Sequence, residues 1–209
     1  MTLVFYTNPQ SRGRIARWML EEVGAPYDTV LLGYADSMKA AEYLAINPMG
    51  KVPAIVHDGH VVTECAAICA YLADAFPDAG LAPPMAERAG YYRWLFFAAG
   101  PVEQAVIDRS RKIEVTPEQG RMVGYGSYDT TVDALEAAVK GRSFIAGDRF
   151  SAADVYVGSH IAWGMMFGTL PKREAFESYL AGLTARPALQ RAHQLDEQAA
   201  AACRLFGRQ

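Results

Sequence analysis

Between Pro77 and Pro84 the chain carries three prolines and one glycine, and Pro83-Pro84 cannot continue any helix. This breaker divides 209 residues into two stretches of different periodicity. Before it, short apolar runs alternate with helix-period segments; after it, only helix period remains. The partition expected is a first domain at 1–78, a linker at 79–84 and a second domain at 85–209. With 51% hydrophobic residues, the chain has enough apolar side chain for a packed core, which excludes general disorder.

In the first stretch, Leu3-Val4-Phe5-Tyr6 reads as a strand ended by Asn8-Pro9. Ile15, Met19 and Val23 then recur at helix spacing, with Ser11 as the expected cap and Gly24 as the stop. Tyr27 to Leu32 returns to strand character, so a β-α-β unit fits within about 32 residues, the span of a parallel pair with a crossover helix. A polar helical segment is expected from Ser37 to Ile46. Two short strands, Val52–Val56 and Val61–Thr63, flank Asp58-Gly59 as a hairpin, and a helix opens at Glu64.

The second stretch reads as helices: one from near Met85 through Phe97, one from about Pro117 to Lys140, one from Ser151, and weaker ones at Arg173–Leu183 and Pro187–Ala202. The longest uncharged run, Val155 to Pro171, contains three glycines and His160, the composition of a buried helix rather than a membrane span. In Ser151-x-x-Asp154 the two side chains suit a reciprocal cap for that helix. The fold class is therefore α/β followed by all-α.

A formal charge of −3, with no basic tract of five or more, argues against nucleic acid as the main partner. Cys65, Cys69 and Cys203 are too few and odd in number for a disulfide framework, and no histidine lies beside them to suggest a metal. With no secretory signal at the N-terminus, the expected location is the cytoplasm.

Lys51-Val52-Pro53, then Thr63-Glu64-Cys65 opening a helix, then Gly147-Asp148 and Ser151-x-x-Asp154 in a helical half, together resemble the cytosolic glutathione transferases of bacterial type. The resemblance spans essentially the whole chain and implies a thioredoxin-like βαβ-ββα domain followed by a helical bundle. It implies a cis Val52-Pro53 bond, glutathione as co-substrate, no metal, and a homodimer. Glutathione carries two carboxylates, an ammonium and a thiol. Glu64 and Cys65, at a helix start, suit its γ-glutamyl end; the backbone of Val52, beside Pro53, suits its middle; Lys51 and Lys39 suit its glycyl carboxylate. Cys65 stands where the family has serine, a weaker donor in its place.

The thiol, with an ordinary pKa near 8.5, must be held as thiolate, and lowering it by about 2 units takes about 2.7 kcal/mol. Ser11 resembles the active residue of the serine and cysteine types; Tyr6, Asn8 and Thr7 are the other candidates, and Arg12 and Arg14 add positive potential. Tyr91, Trp94, Glu103 and Met166 are candidates to line the electrophile pocket, expected between the domains, with Phe97, Met165 and Phe167 beside them. Conjugation of glutathione to a small, hydrophobic electrophile is the leading expectation. The alternatives are glutathione-dependent disulfide or peroxide reduction, and a non-catalytic protein of the same fold acting in binding or assembly.

Overall fold

Burial alternates along Leu3–Thr7, with Leu3, Phe5 and Thr7 inside and Val4 and Tyr6 half-buried, the period-two pattern of a strand with one face in the core. The computed structural model describes residues 2–206; Met1 and residues 207–209, the outer ends of the two expected domains, lie outside the described residues. After this strand, β1, come α1 (Gly13–Val23), β2 (Asp28–Leu31), a short α2 (Ala41–Leu44), β3 (Ala54–His57), β4 (His60–Thr63) and α3 (Cys65–Ala75). The polar segment expected as one helix is a single 3₁₀ turn, Ser37–Lys39, and then α2, because extended Ala40 interrupts it.

The four strands lie in the order β2-β1-β3-β4. β2 runs parallel to β1, β3 antiparallel to β1, and β4 antiparallel to β3, as in a βαβ-ββα thioredoxin-like domain. Asp58 (φ 47°) and Gly59 (φ 83°) form the two-residue hairpin turn, whose positive φ values match the strand twist. The register pairs Thr7 with Leu31, Tyr6 with Ala54 and Ala54 with Thr63. One edge of the sheet therefore collects the end of β1, the end of β2, the start of β3 and the end of β4. On one face of the sheet Leu32, Met38, Tyr43 and Ala54 form a cluster joined by Tyr6, Ile46 and Val52.

The last helix, α9 below, completes this unit, which comprises the residues through Leu81 and those from Arg186 onward. In the second unit, Ala82–Ala185, lie α4 (Arg88–Phe97), α5 (Glu103–Ser110), α6 (Tyr128–Val139), α7 (Ala152–Phe167) and α8 (Glu174–Thr184). A π-helical turn, Ala98–Val102, joins α4 to α5 around Pro101, which has no amide to give to the ladder. The helix expected from Pro117 begins only at Tyr128. Gly120, Gly124 and Gly126 (φ 65°) precede it, and Ser127 caps it by accepting from the Thr130 amide at 3.2 Å. At α7 the reciprocal cap is present. Buried Asp154 accepts from the amides of Ile145 (2.7 Å) and Ser151 (2.9 Å) and from the hydroxyl of Tyr179 (2.7 Å). Burial raises its carboxyl above the ordinary range while those donors pull it down.

α9 (Pro187–Phe206) packs on α1, whereas the expected partition placed it in the second domain. Four ion pairs join the first unit's α1 to this segment: Arg14–Glu197, Arg17–Asp196, Glu21–Arg191 and Glu22–Arg186. Their numbers rise on α1 as they fall on the other, so the helices are antiparallel. Cations occupy the first half of α1 and anions the second, with the complement opposite, so a parallel arrangement would oppose like charges. Local periodicity carries no trace of this pairing. The Arg17–Asp196 pair is buried, at 4% and 0% side-chain exposure, and Arg17 also donates to the Tyr27 hydroxyl at 3.2 Å.

Tyr27 in turn donates to Glu21 at 2.6 Å. Burial, then that bond, pushes its pKa up to about 12. An acid whose folded pKa lies above its unfolded value of about 10 holds its proton longer in the folded state. Its contribution to stability is therefore full below pH 10 and declines as pH rises from about 10 to about 12. Urea midpoints measured across that window should fall less steeply for Tyr27→Phe than for the wild type; parallel slopes would refute the linkage.

Candidate functional site

The shared edge of the sheet gathers residues 8–12, 33–39, 51–53 and 64–65 from four separate parts of the sequence. The loop after β1 begins under a steric constraint: a Cβ at Gly13 would lie 1.9 Å from the Thr7 hydroxyl oxygen. Only glycine lets the start of α1 approach the strand end so closely. α1 starts one residue later than expected, with Arg12 at its cap position. Ser11 nevertheless serves the helix start, since its Oγ accepts from the Gly13 amide at 2.9 Å.

Every carbonyl oxygen from Asn8 to Arg12 accepts a hydrogen bond. Asn8 O receives the Ser11 amide (3.1 Å) and the Ser11 hydroxyl (2.7 Å). Pro9 O receives Arg14 Nε (2.6 Å), and Gln10 O the Tyr34 hydroxyl (3.1 Å). Ser11 O and Arg12 O take the amides of Arg14 (3.2 Å) and Ile15 (3.0 Å), and Arg12 O also accepts from Cys65 Sγ at 3.6 Å. The Asn8 side chain ties the loop to the end of β2, giving Nδ2–H to Leu32 O (2.8 Å) and accepting the Gln10 amide (2.9 Å). A loop whose carbonyls are all engaged presents little bare negative charge, which suits an anion beside it.

The segment before β3 is fixed equally firmly. The Lys51 carbonyl accepts from the Tyr43 hydroxyl (2.5 Å) and from Asn47 Nδ2 (2.8 Å). Lys39 Nζ donates to Gly50 O at 2.7 Å. The Val52–Pro53 peptide is cis. Gly50 (φ 55°) is itself hemmed in, because a Cβ there would lie 2.9 Å from both Lys39 Nζ and Met38 O. The Lys51 side chain is exposed.

At the third corner Glu64 adopts φ 64°, ψ 119°, a conformation costing a residue with a Cβ about 1–3 kcal/mol. It places an exposed carboxylate immediately before α3, whose first amides and positive dipole end attract anions. Cys65 is buried and its thiol turns toward Arg12 O, so α3 and the loop after β1 are in direct contact. Contact with Cys65 and burial keep Cys69 a protonated thiol far above the ordinary range. Among the described residues no group of three His, Cys, Asp or Glu is placed to hold a metal ion.

Comparison with known proteins gives this corner a context. The sequence model described as the glutathione S-transferase N-terminal domain matches residues 12–75. Glutathione S-transferase GstA of Escherichia coli O157:H7 is 30% identical over 153 residues, 71% of this chain and 75% of the relative. The chain belongs to the glutathione S-transferase family. Glutathione S-transferase GST-4.5 of Xanthomonas campestris is 28% identical over 201 residues, 88% of this chain and 96% of the relative. Among solved structures, a sphingomonad glutathione S-transferase complexed with glutathione superposes with a TM-score of 0.76 at 26% identity, covering 93% of this chain and 98% of that one. A glutathione transferase from Methylococcus capsulatus does so with a TM-score of 0.76 at 28% identity, covering 94% and 100%.

In this transferase, Tyr6, Asn8, Ser11, Lys39, Lys51, Val52, Pro53, Glu64 and Cys65 all lie at or beside the common sheet edge. Their surroundings separate them. Both ends of the Asn8 amide are engaged, Thr7 is buried, and Tyr6 leans on Tyr43 with ring centroids 5.6 Å apart. Within the helical unit Tyr91 is core at 1% exposure, whereas Met166 is 66% exposed. Trp94 lies under Arg93 (4.4 Å) and edge-on to Phe97 (5.5 Å), and Glu103 stands 3.8 Å from His160.

Four supporting residues escaped the sequence reading: Arg14 beyond its charge, Tyr34, Tyr43 and Asn47, each holding a site carbonyl. Only Arg14 carried a signal, being a cation in the first turn of a helix, where the dipole disfavours it by about 0.3–1 kcal/mol. Glu64 offers a direct test. Glu64→Gly, which removes the strain, should raise stability by about 1 kcal/mol while weakening glutathione binding at least tenfold. Urea unfolding and calorimetric titration read the two effects; a destabilised variant with intact affinity would contradict the assignment.

Proposed function

We propose that this transferase binds glutathione along the shared sheet edge and conjugates its thiolate to small hydrophobic electrophiles. The observation that carries the reading is the loop at 8–12, whose carbonyls are all engaged, set beside an α3 N-terminus and the exposed Lys51. The likeness to the sphingomonad enzyme complexed with glutathione supports the choice of ligand. In this reading the α3 amides take the γ-glutamyl carboxylate and Glu64 its ammonium. Val52 pairs with the cysteinyl backbone as an added strand, and Lys51, with Lys39, meets the glycyl carboxylate. Cys65 contributes its amide, since its thiol is turned to Arg12 O.

Ser11 is the donor to sulfur, ahead of Tyr6 and Asn8. Its hydroxyl hydrogen can leave Asn8 O without orphaning that oxygen, which keeps the Ser11 amide at 3.1 Å. The thiol proton passes to water. The sulfur pair then forms the S–C bond as the bond from carbon to the leaving group breaks, and the leaving group departs with its electrons. Disulfide or peroxide reduction finds no support at this loop, which contains no cysteine. The electrophile candidates Trp94, Glu103 and Met166 remain part of the proposal, while Tyr91 is a buried core residue.

The protein should be retained on immobilised glutathione and should conjugate a chlorinated nitroaromatic with release of chloride. Ser11→Ala should lower kcat about tenfold or more, the loss expected when a hydrogen bond to a charged group disappears. No retention and no turnover at millimolar glutathione would overturn the reading in favour of a non-catalytic protein; unchanged turnover in Ser11→Ala would move the donor role to Tyr6.

The functional form is a homodimer. Met85, in the 3₁₀ turn before α4, and Tyr92 and Phe96, four residues apart on one side of α4, are large, exposed apolar side chains. Phe96→Asp should shift the sedimentation coefficient from dimer to monomer; a monomeric wild type would refute the dimer. Among the described residues no helix is long and apolar enough to cross a membrane. A cytoplasmic location accords with three free thiols, and cell fractionation checks it.

A further inference from the structure

We infer that Arg14, aligned by Glu197 of α9, is a positioning residue for the thiolate loop; the inference rests on the conjugation reading above. Arg14 Nε–H donates to Pro9 O at 2.6 Å while its Nη2 donates to Glu197 Oε1, also at 2.6 Å. The planar guanidinium thus spans two directions at once, with one donor on the loop and one on the last helix. The first is a bond from a charged side chain to a loop carbonyl. Pro9 has no amide of its own to brace this part of the loop, and its carbonyl is held by Arg14.

The consequence reaches the chemistry in two ways. Arg14 keeps the Pro9 oxygen engaged and turned to the guanidinium, so that oxygen does not compete as a negative dipole near the developing thiolate. It also holds the loop backbone against which Ser11 is set, two residues from Pro9. Glu197 sits at one end of the ladder between α1 and α9, and Arg191 near the other. At the Glu197 end, Arg14 links the ladder to the loop. α9 therefore does more than cover α1: its C-terminal half sets the geometry of the donor to sulfur.

Arg14→Lys keeps the charge but cannot fork between Pro9 O and Glu197. It should lower kcat for nitroaromatic conjugation about tenfold, in the range seen for small misplacements of reacting groups. It should also raise the apparent pKa of bound glutathione, read from thiolate ultraviolet absorbance, and change KM for glutathione by less than about twofold, since the ends of the ligand are held elsewhere. Glu197→Gln, at a side chain 62% exposed, should fold normally and shift kcat the same way by about two- to fivefold. Arg191→Gln is the control: it removes a comparable ion pair near the far end of α9 and should leave kcat and the thiol pKa unchanged.

Equal losses in Glu197→Gln and Arg191→Gln would reduce the effect to helix docking and overturn the inference. An unaltered thiol pKa in Arg14→Lys would do the same. An active wild type with an equally active Arg14→Lys defeats this inference alone. A wild type that neither binds glutathione nor turns over defeats the conjugation reading, and this one with it.

Discussion

The antiparallel return of β3 beside β1 is the constraint on which the site depends. Pairing Tyr6 with Ala54 and Ala54 with Thr63 puts the end of β1, the start of β3 and the end of β4 on one edge. A one-residue slip would send Phe5 and Ile55 to the opposite faces of the sheet and expose the core they fill. Burial thus enforces register, and register brings together three loops far apart in sequence. The tight Asp58-Gly59 turn leaves no slack between β3 and β4 for another alignment.

In the proposed reading that edge holds an anionic tripeptide although the chain has a formal charge of −3. No general basic field is available, so attraction is local. Two devices supply it. The N-terminus of α3 offers unpaired amides and a positive dipole end. The loop after β1 engages its own carbonyls, five in succession, so that nearby negative dipoles are offset. The second device costs specific residues: Tyr34, Arg14 and Cys65 each spend a donor on a loop carbonyl. Cys65, though a weak donor, fits here because its role is contact with Arg12 O rather than with a ligand carboxylate.

Much of this was legible in the sequence. The βαβ-ββα order, the Asp58-Gly59 hairpin and the Ser151/Asp154 cap follow from local periodicity and turn chemistry, whereas the family resemblance supplied the ligand and the candidate residues from Lys51 to Cys65. Three features were not legible, each for a physical reason. The start of α6 at Tyr128 was missed because apolar spacing continues through a glycine-rich segment where backbone freedom ends the helix. α9 was grouped with the other helices because its attachment to α1 lies in complementary charges about 170 to 180 residues apart, which no local window contains. Tyr43 and Asn47 were missed because the group they hold, the Lys51 carbonyl, belongs to the backbone and leaves no mark in the sequence.

Several of the places where local rules are broken lie at the site, although Asp58, Lys112 and Pro101 break them elsewhere. Glu64 holds a positive φ that glycine would adopt freely, Arg14 puts a cation in the first turn of a helix, and Gly13 permits a contact no other residue could. Each is locally unfavourable and is held by structure around it: α3 and β4 flank Glu64, Glu197 and Pro9 O engage Arg14, and Thr7 is locked in β1. Sequences selected for folding alone agree across levels, so concentrated disagreement marks selection for something else. In unit two Ser127 and Ser151 cap α6 and α7 by the ordinary local rules. The pattern supports the proposed ligand recognition at the sheet edge, and it gives the Arg14–Glu197 pair, rather than the whole α1–α9 ladder, a part in the proposed scaffold, because that pair sets the guanidinium on Pro9 O.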